Sequence, residues 1–373
     1  MRTIVYKIND PAKDIEKIKK AADCINSGGL VVFPTETVYG IACRVEKKSF
    51  ARLDEVKKRD SDKRYTLHIG DKNRLQDFVP ALSLPAKKLV RNAWPGPLTI
   101  VFEVDRKDIS RLEKKFGNEI IELLYKDNTI GIRCPENDIA LAFLNLCRFP
   151  VVAPSANIAD RKPAADAQQA IQQLDGLVDM VLDGGACKYK KNSTVVKISA
   201  AGITVIREGV YSEKQIQKMF TVNILFVCTG NTCRSPMAEG FAKKLLAEKL
   251  KCDIDRLQQI GYRITSAGVI AMDGIDASAE AIRFCDSKDV DITEHKSRRL
   301  TSQMLKDADY IFAMSTEHKN DIIRIPSKAE QRCMLLNDGG DISDPIGQDF
   351  EAYKTCGTVI EKAVNKRINE LLK

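Results

Sequence analysis

Cys228 is followed, after five residues, by Arg234-Ser235-Pro236. A thiolate is a strong nucleophile, and a guanidinium offers a planar fork of donors matched to two phosphoryl oxygens. The pair therefore suits attack on phosphorus through a phosphocysteine that water then hydrolyses. Between them, Thr229, Gly230, Asn231, Thr232 and Cys233 form a short loop. Glycine and asparagine tolerate the left-handed backbone that turns several N–H groups inward around an anion. Ile224 to Val227 reads as a strand covered on both faces, and Ser235-Pro236 as an N-cap with proline at the first helical position. The positive end of that helix faces the anion, so the Cys228 thiol is expected below its ordinary pKa.

A second set of chemical residues is scattered upstream. PTETVYG carries Thr35, with its polar groups facing a cleft. Lys57 and Arg59 share a face if the backbone is extended, presenting two cations to one anion. Lys63 and His68 lead into a strand, and Arg133 ends another. Ser155 and Asn157 follow a helix with period two, and Thr194 and Arg207 tip two later strands. The set offers cations for phosphates and hydroxyls for a small polar ligand. Neither GxxxxGK[ST] nor GxGxxG occurs, so any nucleotide is held in another way.

These residues need two scaffolds. A chain of 373 residues exceeds one ordinary core. Residues 14 to 26 read as a helix stopped by Ser27-Gly28-Gly29, and Leu30 to Phe33 as a strand. Residues 1–213 make the first domain, 214–221 a short linker and 222–373 the second domain. Strands near 262–267, 309–314 and 332–336 with helices between them give a doubly wound parallel sheet, with Cys228 at the carboxyl edge where ligands sit. Asp344-Pro345 lies in a loop before the last helix.

The net charge of +8 suits anionic substrates, and the mixed-sign spread of lysine and arginine permits contact with tRNA without requiring it. No apolar run approaches a membrane span, and the first residues lack an apolar signal core, so a cytoplasmic enzyme is expected. The 11 cysteines include no CxxC pair, and the three histidines form no HExxH. Neither a disulfide framework nor a metal site is expected. A reversible Cys228–Cys233 disulfide protecting the nucleophile is the one redox hypothesis, against a plain second small residue in the loop.

CTGNTCRS, Asp344-Pro345 and the helix after them resemble the low-molecular-weight protein phosphatase family over about residues 222 to 373. The resemblance implies Cys228 as nucleophile, Arg234 and the 229–235 loop, Ser235 included, as phosphate binders, Asp344 as general acid, and no cofactor. Thr232 resembles the protein-arginine phosphatases, since tyrosine phosphatases carry a bulkier apolar residue there. A threonine leaves room and a hydroxyl for a water near a phosphoguanidinium. Ile346-Gly347 replaces the paired tyrosines that flank an aromatic substrate, which agrees.

The order PTETVYG, K-x-R, GIRCP, PSAN, STVV and IREG resembles the threonylcarbamoyl-AMP synthase, or YrdC-like, family over about residues 4 to 213. That implies an open, twisted α/β sheet with a concave face. It also implies condensation of L-threonine, bicarbonate and ATP with Mg2+ into threonylcarbamoyl-adenylate, which a separate transferase uses to modify tRNA. Arg59, Lys63, Asn157 and Arg207 would contact ATP, with Lys57 in the K-x-R signature. Thr35, His68, Arg133, Ser155 and Thr194 would line the threonine side. Asp60 and Arg64 replace the prolines of KxRPxxxP, and Ala159-Asp160 replaces the Ser-Gly after SAN. The expected protein is a bifunctional α/β enzyme acting on phosphorylated proteins and on small substrates. Two alternatives stand beside it: a protein-tyrosine phosphatase in the second half, and a non-catalytic RNA- or nucleotide-binding module in the first.

Overall fold

The computed structural model describes residues 2–58 and 64–372, which divide into two compact units, Met1–Leu82 with Ala86–Met219, and Ser83–Pro85 with Phe220–Lys373. Arg59, Asp60 and Lys63 lie outside the described residues.

The first unit is built on a ten-stranded sheet. Its strands are β1 (Ile4–Lys7), β2 (Leu30–Phe33), β3 (Gly40–Arg44), β4 (Leu67–His68), β5 (Leu98–Glu103), β6 (Thr129–Arg133), β7 (Val151–Val152), β8 (Met180–Asp183), β9 (Thr194–Ser199) and β10 (Gly202–Arg207). They lie in the order β1-β8-β2-β3-β7-β4-β6-β5-β9-β10, with parallel and antiparallel neighbours mixed. The helix Ile15–Asn26 buries Ile18, Ala21, Ala22 and Ile25, the i, i+3, i+4, i+7 stripe of an amphipathic helix. That stripe packs with Val31 and Phe33 of β2 and with Phe143 and Leu144 of the helix Asp138–Leu146. All four residues of β2 are buried, as suits a strand covered on both faces. Each such side chain contributes about 1.5–3 kcal/mol on leaving water. β4 and β6 pair in parallel, with His68 opposite Arg133 at their carboxyl ends.

The second unit is a parallel sheet in the order β12-β11-β13-β14, from β11 (Val222–Cys228), β12 (Tyr262–Gly268), β13 (Tyr310–Ala313) and β14 (Cys333–Leu335). Side chains of β11 alternate between two cores. Ile224 and Phe226 pack with Met237, Phe241, Ile360 and Val364, whereas Leu225 and Val227 pack with Leu305, Ile311 and Ile322. Helices thus cover both faces, as the doubly wound reading requires. β11 is held between β12 and β13, so its last residue, Cys228, sits at a fixed point of the carboxyl edge.

Candidate active sites

In the second unit, Cys228 is buried and opposes Gly268 across the β11–β12 pair. A Cβ on Gly268 would meet the Thr229 carbonyl oxygen at 2.5 Å, so glycine is what lets β12 approach the loop. The left-handed residue of the loop is Asn231 (φ 57°), not Gly230. Its backbone N–H donates to Cys228 Sγ (3.3 Å), and its side-chain amide donates to Ser235 Oγ (2.8 Å) and Ser266 Oγ (2.9 Å). Ser266 in turn donates to Glu239 (2.6 Å). Arg298 N–H donates to Asn231 Oδ1, and His295 Nε2 lies 2.8 Å from the Asn231 carbonyl. Asn231 is therefore locked from all sides, and the loop is shaped before any anion arrives.

The helix starts two residues earlier than the Ser-Pro signal suggests. It spans Arg234–Leu250, with Cys233 at the cap and no side-chain capping bond. Pro236 is thereby third in the helix, where its missing N–H costs nothing because the first four N–H groups have no intrahelical partner. Ser235 is freed from capping, and its hydroxyl lies 3.0 Å from Cys228 Sγ. Burial pushes the Cys228 thiol above its ordinary pKa, against the lowering effects of Ser235, Arg234 and the Asn231 N–H. The depression expected from the sequence is thus not found, because the cost of burying the thiolate outweighs these donors.

Arg234 is buried; its Nη1 donates to the Ile342 carbonyl (3.0 Å), and its Nη2 donates to Thr229 Oγ1 (3.1 Å) and to the Asp344 carboxylate. The catalytic trio read from the sequence is thus assembled at one strand end. Thr232 presents its hydroxyl 3.6 Å from Cys233 Sγ. Cys233 and Cys228 are both free thiols, and Cys233 Sγ is engaged with Ser278 (3.4 Å) and Tyr353 (3.3 Å). His318 was not among the expected site residues; its Nε2 lies 2.8 Å from Thr229 Oγ1.

In the first unit a cavity of about 260 Å³ is lined by Thr35, His68, Arg133, Ser155 and Arg207, together with Arg64, Tyr65, Thr99, Asn192 and Ser193. Arg133 Nη2 donates to Glu36 (2.8 Å) and to the Thr37 hydroxyl (2.7 Å), with Thr35 Oγ1 at 3.4 Å. Among the described residues, Arg133 Nε and Glu36 Oε2 are buried without a hydrogen-bond partner. His68 Nδ1 lies 3.1 Å from the Thr66 carbonyl, so it carries the proton and Nε2 holds a lone pair. Burial, and then the Arg133 charge, push this imidazole down to about 3, so it is neutral at pH 7. Arg207 Nη2 donates to the Ser193 carbonyl (2.9 Å), and burial pushes its pKa down as well.

Three expected residues do not line that cavity. Lys57 ends the helix Lys47–Lys57 and Lys58 is left-handed (φ 49°), so the backbone is not extended at these two residues. Instead Lys57 Nζ donates to the carbonyls of Ser155 (2.8 Å) and Asn157 (2.6 Å) and braces that loop. Asn157 accepts from Ser155 Oγ (2.5 Å) and donates to the carbonyls of Ile158 and Arg161. The Thr194 hydroxyl donates to the Tyr211 carbonyl and accepts from the N–H groups of Gly209 and Tyr211. Its neighbour Ser193 lines the cavity in its place, bonded to Thr99 (3.1 Å). Asp160, standing where the pattern has glycine, keeps the left-handed backbone (φ 63°), a conformation that aspartate tolerates better than most residues.

Residues 23–209 match the family described as telomere recombination (Sua5, YciO, YrdC), and residues 223–373 match the family described as low molecular weight phosphotyrosine protein phosphatase. The threonylcarbamoyl-AMP synthase of Pyrococcus abyssi is 29% identical over 220 residues, 58% of this chain and 61% of that protein. The chain thus spans less than two thirds of that relative's length. A protein-arginine-phosphatase of Geobacillus stearothermophilus is 31% identical over 153 residues, 40% of this chain and 95% of that protein. A solved structure of a Pyrococcus abyssi Sua5 double variant, 21% identical, covers 89% of this chain and 98% of its own with a TM-score of 0.51, a likeness of fold.

Proposed function

From a chain that belongs to the Sua5/YciO/YrdC family over residues 23–209 and to the low molecular weight phosphatase family over residues 223–373, we propose two activities in one polypeptide: synthesis of threonylcarbamoyl-AMP from L-threonine, bicarbonate and ATP, and dephosphorylation of protein phosphoarginine.

The synthase reading is supported by five residues, remote in sequence, that line one cavity. The partnerless Nε–H of Arg133 is the kind of donor a ligand carboxylate takes up. Neutral His68 offers the lone pair of Nε2 to a hydroxyl or ammonium hydrogen, and the hydroxyls of Thr35 and Ser155 can orient threonine beside it. In this reading a carbamate oxygen attacks the α-phosphorus and pyrophosphate leaves. Arg207, with Arg59 and Lys63, would oppose the charge that builds on the phosphates. Lys57 and Asn157 hold the Ser155 loop in place. No group of three His, Cys, Asp or Glu side chains among the described residues is placed to hold a metal ion. Mg2+ would therefore come with the nucleotide, held by phosphate oxygens and water. The product would pass to a separate tRNA-modifying transferase. Among the described residues no helix is long and apolar enough to cross a membrane, and we place the enzyme in the cytoplasm.

The phosphatase reading is supported by the meeting of Cys228, Arg234 and Asp344 at the end of β11. Once released from Arg234, the Asp344 carboxylate takes up the proton that the Cys228 thiol gives up; the thiolate attacks phosphorus and Asp344 passes that proton to the leaving nitrogen. Water then cleaves the S–P bond, with Asp344 taking its proton and the Cys228 thiolate leaving. Ser235 and the Asn231 N–H donate to the sulfur in its thiolate form. Thr232 and the exposed Ile346, with no aromatic wall, favour phosphoarginine over phosphotyrosine.

Hydrolysis of phosphoarginine and phosphotyrosine peptides by the intact protein tests the substrate. Phosphoarginine is expected to be preferred, and Thr232→Ile is expected to shift the ratio of the two kcat/KM values toward phosphotyrosine by roughly tenfold or more. A phosphotyrosine preference in the unaltered protein would move the reading to a tyrosine phosphatase.

A further inference from the structure

The phosphate loop carries a chain of hydrogen bonds that the roles given to Cys228, Arg234 and Asp344 leave unused. Arg234 Nη2 donates to Thr229 Oγ1 (3.1 Å), Thr229 Oγ1 lies 2.8 Å from His318 Nε2, and His318 Nδ1 lies 2.8 Å from Ser315 Oγ. A guanidinium only donates, so the Thr229 oxygen accepts from Arg234. Its second contact, to His318 Nε2, fixes the rotation of the hydroxyl in either ring tautomer, and Ser315 holds the other ring nitrogen. His318 is itself anchored, because Ser315 caps the helix Thr316–Arg324 by accepting from the His318 backbone N–H. Burial, and then the Arg234 charge, push the imidazole below its ordinary pKa, which keeps it neutral.

The geometry gives this chain a task. Arg234 Nη2 rests on Asp344 and on Thr229. A general acid must swing to the leaving group, and when Asp344 does so, Thr229 is the side-chain acceptor left on Nη2 among the described residues. Without an oriented hydroxyl there, the Ile342 carbonyl on Nη1 is the remaining anchor among the described residues, and the guanidinium can rotate about that contact.

We infer that His318 is a positioning residue of this centre: by fixing the Thr229 hydroxyl it holds Arg234 in the plane that meets the phosphoryl group once Asp344 has left it. The inference rests on the phosphatase reading of Cys228. His318 touches neither substrate nor nucleophile in this role, and its effect is on binding of the phosphoryl group more than on the chemical step.

The test uses the full chain with p-nitrophenyl phosphate as substrate and inorganic phosphate as competitive inhibitor. His318→Leu is expected to raise KM and the phosphate inhibition constant together by roughly tenfold, with a smaller change in kcat. His318→Gln, whose amide oxygen can accept the Thr229 hydroxyl, is expected to bring both back to within about threefold of the unaltered protein. Should His318→Leu fold poorly, Thr229→Val removes the hydroxyl while keeping the shape and is expected to show the same paired rise. Unchanged KM and inhibition constant in Thr229→Val, or a glutamine variant as weak as the leucine one at equal melting temperature, would overturn the inference. Activity retained by Cys228→Ser would instead remove the phosphatase reading. Calorimetric binding of inorganic phosphate to the same variants would still decide the role of His318.

Discussion

Replacing Cys228 by serine is expected to lower hydrolysis of phosphopeptides by roughly 10⁴-fold or more, since an unactivated hydroxyl replaces the nucleophile. The substitution removes little volume, a serine oxygen can still accept from the Asn231 N–H, and the other bonds of Asn231, to Ser235, Ser266 and Arg298, do not involve the sulfur. Binding of inorganic phosphate should therefore survive, and calorimetry on the variant should find an affinity close to that of the unaltered protein. Phosphate binding lost together with activity would mean that the sulfur shapes the loop and does not only react in it. Pyrophosphate release from threonine, bicarbonate and ATP serves as the folding control for the same preparation.

The second large effect belongs to Arg133. Its side chain is 7% exposed and that of its partner Glu36 only 1%. Truncation to alanine would leave a carboxylate buried with no cation and deprive Thr37 of its donor. Removing one member of such a pair costs about 3–5 kcal/mol. Arg133→Ala is thus expected to lower the stability of the first unit by about that amount and to abolish pyrophosphate release. Adding Glu36→Gln should return much of the stability, because a neutral amide carries no unpaired charge, while activity stays lost. Denaturant melts of the intact protein give the first comparison and a pyrophosphate assay the second. Arg133→Ala melting like the unaltered protein would show that the pair does not hold the Thr35–Thr37 segment.

What could be read without coordinates was what is local. The run from Ile224 through Arg234 declares its strand, loop and helix within eleven residues, because one turn of chain must do the whole task. The carboxyl-edge placement of Cys228 then follows from the doubly wound pattern. Asn231 against Gly230 could not be decided locally, since both tolerate the left-handed backbone. The choice is set by Ser266, Arg298 and His295, which only the fold brings there. His318 lies 89 positions from its partner Thr229 and reads in the chain as an ordinary residue of a short helix. At Thr194 the chain could not show which of two adjacent hydroxyls lines the cavity; it is that of Ser193, just ahead of β9, while the Thr194 hydroxyl bonds to the backbone of Gly209 and Tyr211. The reading of Lys57 assumed an extended backbone that would present it to an anion; the helix through Lys57 and its left-handed cap instead carry the ammonium to the carbonyls of the Ser155–Asn157 loop.

The pairing of Arg234 with Asp344 also bears on how the enzyme should respond to its ionic surroundings. An empty phosphate site with a bare guanidinium would draw in any small anion, and its affinity would fall steeply with added salt. Here the cation already owns a tethered counter-ion. An arriving phosphoryl dianion evicts a carboxylate, and the net change in charge beside the guanidinium is about one unit where it would otherwise be two. Chloride, a monoanion of a single atom, brings no extra charge and cannot take both arms of the guanidinium fork as phosphoryl oxygens do, so it gains little from the same exchange. Substrate capture and release of the general acid become one event, and the KM of the phosphatase half should be only shallowly dependent on ionic strength.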